Sequence, residues 1–122
     1  MHSVIAILGP AEGEATVTAM RQAGIGDGDL LRWTGGEVLA LMRDSDHNHP
    51  VKRTLRDLQR ALTDEGGNLN VYERAARRGL DIVAVRAPDE AARQRAYRIL
   101  RDHFAQQIKF YGTFAVTDLS LY

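Results

Sequence analysis

Val4-Ile5-Ala6-Ile7-Leu8-Gly9-Pro10, near the N-terminus, and Leu80-Asp81-Ile82-Val83-Ala84-Val85, much later in the chain, are the two stretches that decide the fold. The first is a β-branched run with apolar residues for both faces, the pattern of a central, well-covered strand. The second reads as a strand of the same kind. Each run ends at a break, Gly9-Pro10 in one case and Pro88-Asp89 in the other. Proline lacks an N–H and restricts the residue before it, so a change of direction costs little there.

Helical periodicity follows each break. From Glu12 to Ala23, residues Thr16, Ala19, Met20 and Ala23 fall near one face. Glu12 and Glu14 stand at the positive end of the helix dipole, and Gly24 suits the position after the last turn. The loop Gly24 to Asp29 then leads to Leu30-Leu31-Arg32-Trp33, a second strand. In the later half Asp89 is the N-cap, and Ala92, Ala96, Ile99, Leu100 and His103 recur at i, i+4, i+7, i+8 and i+11. The run Ile108 to Val116 closes this unit as a strand. Ile108, Phe110 and Phe114 lie on one side of it and Lys109, Tyr111 and Thr113 on the other. A shift of 78 residues overlays the two units without a gap, matching Ala6 with Ala84, Pro10 with Pro88 and Leu30 with Ile108.

Two β-α-β units with right-handed crossovers predict an α+β domain of ferredoxin-like plan. The expected layout is βαβ, a helical insertion, then βαβ, giving a four-stranded antiparallel sheet with helices mainly on one face. At 122 residues the chain fits one domain. Its expected parts are a first unit at 3–34, an insertion at 35–79 and a second unit at 80–117. Within the insertion, Gly35-Gly36 opens a short helix through Met42. Val51, Leu55, Leu58 and Leu62 mark a second helix, and Asn70 to Arg78 a third, closed by Gly79.

Composition narrows the classes of function. With 16 Lys+Arg against 16 Asp+Glu, the zero formal charge argues against a chain whose main task is gripping nucleic acid or an anionic membrane. The absence of cysteine excludes disulfides, thiolate metal sites and thiol nucleophiles. No apolar stretch approaches membrane-spanning length, and the run after Met1 is too short for a signal-peptide core, so a cytoplasmic location is expected. Charge is nonetheless uneven: residues 1–50 carry a net −4 and residues 51–122 a net +4. Such an asymmetry suits attraction between two copies or a basic face toward a partner.

The later unit carries a family resemblance. Asp81-Ile82-Val83-Ala84-Val85, Pro88-Asp89-Glu90, a helix ending near His103, and Ile108-Lys109-Phe110-Tyr111-Gly112-Thr113-Phe114 resemble the small bacterial general-stress-protein domains (YflT-like, heat-induced stress protein). The opening strand, helix and Gly-Ile-Gly-Asp-Gly-Asp loop look similar to their first segment. The resemblance implies a ferredoxin-like domain in the bacterial cytosol and a role in the stress response. It brings no agreed reaction, cofactor or catalytic residue. Phe104-Ala105-Gln106 replaces the small residue usual at the exit of the last helix in that family.

Three groups of residues are candidates for function. Asp44, Asp46, His47 and His49 offer hard and borderline ligands to a divalent metal within six residues, against the plainer reading of a polar turn ahead of Pro50. Lys52, Arg53, Arg56, Arg60, Arg74, Arg77 and Arg78 form a basic series suited to phosphates or RNA, against that of a solvated helix surface. Trp33, Val83, Val85 and Tyr111 make a partly apolar sheet face that a second copy or the insertion must cover. The Gly24–Asp29 loop lacks a lysine and carries Asp27 and Asp29, so it reads as a turn and not as a phosphate cradle. His103 reads as a satisfied, partly buried histidine. No catalytic set emerges, since Ser45, Asp46 and His49 lack anything that positions an oxyanion hole. The expectation is a non-enzymatic module, homodimeric, acting through protein or small-ligand contacts in stress or regulation, with no cofactor. The alternatives are a metal-binding protein through the Asp44–His49 turn and an RNA-binding protein through the helices of 52–78.

Overall fold

The computed structural model describes residues 2–43, 69–112 and 116–119. Strand β1 spans Ser3–Leu8, and all six of its residues are buried. Helix α1 follows at Pro10–Gln22, with Gly9 as N-cap and proline in the first turn. A 3-10 turn, Asp27–Asp29, leads into β2 at Leu30–Trp33. Helix α2 (Gly35–Arg43) and helix α3 (Leu69–Arg77) precede β3 at Asp81–Arg86. Helix α4 (Glu90–Asp102), capped by the Asp89 carboxylate accepting from Ala92 N–H at 2.8 Å, leads to β4 at Gln106–Tyr111 and β5 at Val116–Asp118.

The result is an α+β chain with one five-stranded sheet in the order β2-β3-β1-β4-β5. Every neighbouring pair is antiparallel. Four strands were expected and five are found among the described residues. The run Ile108 to Val116 is not continuous: β4 ends at Tyr111, before Gly112, and Val116 starts a return strand with Tyr111 opposite Val116 and Lys109 opposite Asp118. The side-chain alternation along β4 is as expected, with Ile108 and Phe110 on one face and Tyr111 on the other.

Helices cover both faces of this sheet, where helices mainly on one face were expected, the other being left to the insertion or a second copy. Val4, Ala6, Leu8, Leu30, Val83, Val85 and Ile108 form a core with Met20 of α1 and with Ala96 and Leu100 of α4. On the opposite face Ile5, Ile7, Trp33, Ile82, Ala84 and Tyr111 pack with Val38 of α2 and with Tyr72, Ala75 and Ala76 of α3. The Tyr72 and Tyr111 hydroxyls, 2.7 Å apart and buried, tie α3 to β4. Helices α2 and α3, the described parts of the insertion, therefore form a second layer. The overlay at 78 residues also fails in detail, because Ala6 and Ala84 lie on opposite faces. The helices instead correspond at a spacing of 80, N-cap Gly9 to Asp89 and left-handed Gly24 to Phe104.

Two close approaches fix the layers. Gly13 of α1 lies against Asp81, which is 1% exposed and accepts from Arg32 Nε at 2.6 Å; a Cβ on Gly13 would stand 2.5 Å from the carboxylate. Arg32 donates in addition to the Pro10 carbonyl at 3.2 Å, so strands β2 and β3 and the start of α1 meet at one ion pair. Gly35 lets α2 approach α3, since a Cβ there would strike the Ala76 carbonyl oxygen. Just before it, Thr34 and Glu37 form a reciprocal capping box, each side chain 3.2 Å from the other's backbone nitrogen.

The neighbouring glycines give a matched test. Gly35→Ala will separate α2 from α3 and lower stability by about 1–3 kcal/mol. Gly36→Ala, exposed and facing only the Thr34 hydroxyl at 3.9 Å, will raise it by up to about 1 kcal/mol. Urea midpoints of the two variants check the opposite signs. Thr16 provides a second test: it is fully buried, and its hydroxyl has no hydrogen-bond partner. Thr16→Val keeps the shape and should stabilise by about 1 kcal/mol, measured in the same way.

Candidate functional site

Some of the residues expected to carry function are described and others are not. Asp44, Asp46, His47 and His49, and likewise Lys52, Arg53, Arg56 and Arg60, lie outside the described residues. Among the described residues no group of three or more His, Asp or Glu side chains stands together as a metal site. Arg74, Arg77 and Arg78 are exposed at the C-terminal end of α3, where basic side chains complement the helix dipole, and Arg77 pairs with Glu73 at 3.0 Å. Trp33, Val83, Val85 and Tyr111 do not share a face. Trp33 and Tyr111 belong to the core under α2 and α3, Val83 and Val85 to the core under α1 and α4, and all four are buried within one chain. His103 caps α4 with its ring Nδ1 2.8 Å from the Ile99 carbonyl oxygen, partly buried and satisfied.

What the sheet does build is a cleft of about 490 Å³ on the α2/α3 face. Its position follows from strand register. Leu31 opposes Ala84, and Ala84 opposes Ile5, so these three form one row across β2, β3 and β1. All point to the same face, and the small Ala84 in the middle makes the depression. The next row outward is polar: Ser3 opposes Arg86, and Asp29 immediately precedes Leu30, whose partner Val85 immediately precedes Arg86. Trp33 lines the cleft further along β2, and His2, Gly28 and Pro88 complete the lining. Of these, Ile5, Trp33 and Ala84 are buried, while Asp29 and Arg86 are exposed.

The chemistry is that of an apolar floor with a mixed-charge rim. Volumes of about 300–1,000 Å³, mostly apolar and with few placed polar groups, are usual for small-molecule sites. Asp29 and Arg86 make no ion pair with each other among the described residues. The His2 ring is stacked on Phe110, centroid to centroid at 5.9 Å, and the Arg93 guanidinium sits 4.3 Å from the same ring. Through this stacking the His2 ring sits with Phe110 on the α1/α4 side, just before the strand that borders the cleft. Sequence reading passed over Ala84 and Arg86 because strand register, and not motif, brings them together; the one visible signal was a small residue inside an otherwise β-branched strand.

Comparisons with protein-family models, with curated proteins and with solved structures each find no match. The residues of the chain itself carry the functional reading.

The cleft predicts an asymmetry between two alanines. Ala84→Leu extends into open space and should move stability by less than about 1 kcal/mol. Ala96→Leu, at a position with 0% exposure under α4, overfills a packed core and should cost about 1–3 kcal/mol. Thermal or urea unfolding of both variants reads the difference.

Proposed function

We propose that this chain is a cytoplasmic, non-enzymatic α+β module of ferredoxin-like plan that binds a small organic molecule with an apolar body and a charged head. The strand order β2-β3-β1-β4, with β5 added at the edge, supports the ferredoxin-like assignment. The cleft is the observation that carries the binding reading: Leu31, Ala84 and Ile5 form its floor, Trp33 stands beside them, and Asp29, Arg86 and Ser3 border it. The apolar floor supplies affinity through buried area. The rim supplies orientation, since a head group must satisfy Arg86 or Asp29 on leaving water. A regulatory or stress-related role for such binding is part of the same proposal and rests on the sequence resemblance.

Trp33, the chain's only tryptophan, lines the cleft and serves as its reporter. Titration with anilinonaphthalene sulfonate, an aromatic amphiphile with an anionic head, should quench Trp33 and bind once per chain. Ala84→Phe should abolish this binding, and Arg86→Glu should weaken it by about tenfold, one charge contact being worth roughly 1.4 kcal/mol. Circular dichroism checks that both variants are folded. Binding that is unchanged in Ala84→Phe, or absent from the folded wild type, would remove the cleft as the site.

A further inference from the structure

Phe104 is at odds with its own fold. It is 82% exposed, the only large hydrophobic side chain so exposed among the described residues. It also has φ of +64°, a left-handed conformation that ordinary side chains avoid. Helices α1, α3 and α4 end in the same motif, in which the residue after the C-cap donates back to the last turn and the following residue reaches one turn further. Gly24 then Ile25 do this for α1, Gly79 then Leu80 for α3, and Phe104 then Ala105 for α4. Two of the three use glycine. A phenylalanine in that position serves neither the backbone nor the core.

We propose that the chain forms a twofold dimer through the outer faces of α1 and α4, with Phe104 of each copy seated on the start of α1 in the other. The sheet fixes the geometry. Helices α1 and α4 follow the antiparallel strands β1 and β3, so they run antiparallel on one face and pack side by side. Gln106 pairs with Ile7, which puts Phe104 at the same end of the sheet as Pro10 and Ala11. The two helices carry opposite charge. Helix α1 has Glu12 and Glu14 against Arg21, which is itself paired with Asp27 beyond the helix, whereas α4 has Arg93, Arg95, Arg98 and Arg101 against Glu90 and Asp102. Glu14, Arg95 and Arg98 are exposed and make no ion pair among the described residues.

These charges select both the occupant and the symmetry. A surface with an acidic and a basic helix side by side is complementary to a second copy of itself. A twofold axis along the helices lays α4 on the partner copy's α1. An axis across them would oppose arginine to arginine, which is unfavourable. In the first arrangement α4 meets the other α1 antiparallel, bringing Arg98 and Arg101 to Glu14 and the Phe104 ring to the exposed Ala11 and Ala15. With one large apolar anchor and otherwise charged contacts, the association is reversible and salt-dependent.

Sedimentation velocity on the full chain, from roughly 10 to 500 µM, tests this. Dimers are expected at about 50 mM salt, with dissociation at least tenfold easier at about 500 mM salt. Phe104→Gly should raise the thermal midpoint, because glycine suits the left-handed position, and abolish the dimer; its loss cannot then be ascribed to unfolding. Glu14→Arg and Arg98→Glu should each weaken association by about tenfold, and the double variant should recover it. A monomer across the range, a dimer indifferent to Phe104→Gly, or single charge reversals without effect would each overturn the proposal.

Discussion

Strand β1 has no residue that faces water on either side, and β3 has one, Arg86 at its end. That constraint organises the molecule. A strand pair buried on both faces needs a layer of helix above and another below, because exposed rows of Ile, Val and Trp would form an apolar patch of several hundred Å². The two crossover helices can serve one face only, since both right-handed connections lie on the same side. The chain between β2 and β3 must therefore provide the other layer. Helices α2 and α3 do so, with Val38, Tyr72, Ala75 and Ala76 closing over Ile7, Trp33 and Ile82.

The cleft follows from how that second layer is placed. Its helices sit over the row of Trp33 and Ile82, whereas the row of Leu31, Ala84 and Ile5 borders the depression that reaches Ser3 and Arg86. Between the layers, Asp81 and Arg32 hold the sheet at its opposite end. Their 2.6 Å contact buries a carboxylate that only a glycine at position 13 can approach. Removing one partner of such a pair strands the other charge, so the pair acts more as a fixed register pin than as a source of net stability.

Much of this was legible in the residues. Leu30–Trp33 is a strand as read, the Ala92-Ala96-Ile99-Leu100 stripe faces the core, and Asp89 caps its helix. Those features depend on periodicity and capping, which are local. Whether the insertion or a second copy covers the other sheet face stayed open, because periodicity tells that α2 and α3 have an apolar face without telling which sheet face it meets. The fifth strand was hidden by the apolar alternation that continues through Phe110, Tyr111 and Phe114, which outweighed Gly112 as a break. Thr34-Gly35-Gly36-Glu37 is a capping box readable from spacing alone, and it was overlooked in favour of the glycines. The cleft was not legible, since register sets its rows and strand pairing is a long-range property.

Phe104 and the cleft lie on opposite faces and at opposite ends of the sheet. Phe104 stands on the α1/α4 side beside the end of β1, while the cleft opens on the α2/α3 side beside its beginning. A ligand in one place and a second copy in the other would not touch. Coupling between them would have to pass through β1 and β3, which are almost entirely buried and pair with each other along their full length. Energetic coupling requires an element with two states that both events bias. The constraint that demands helices on both faces thus also separates the two surfaces, so that each can be altered without the other.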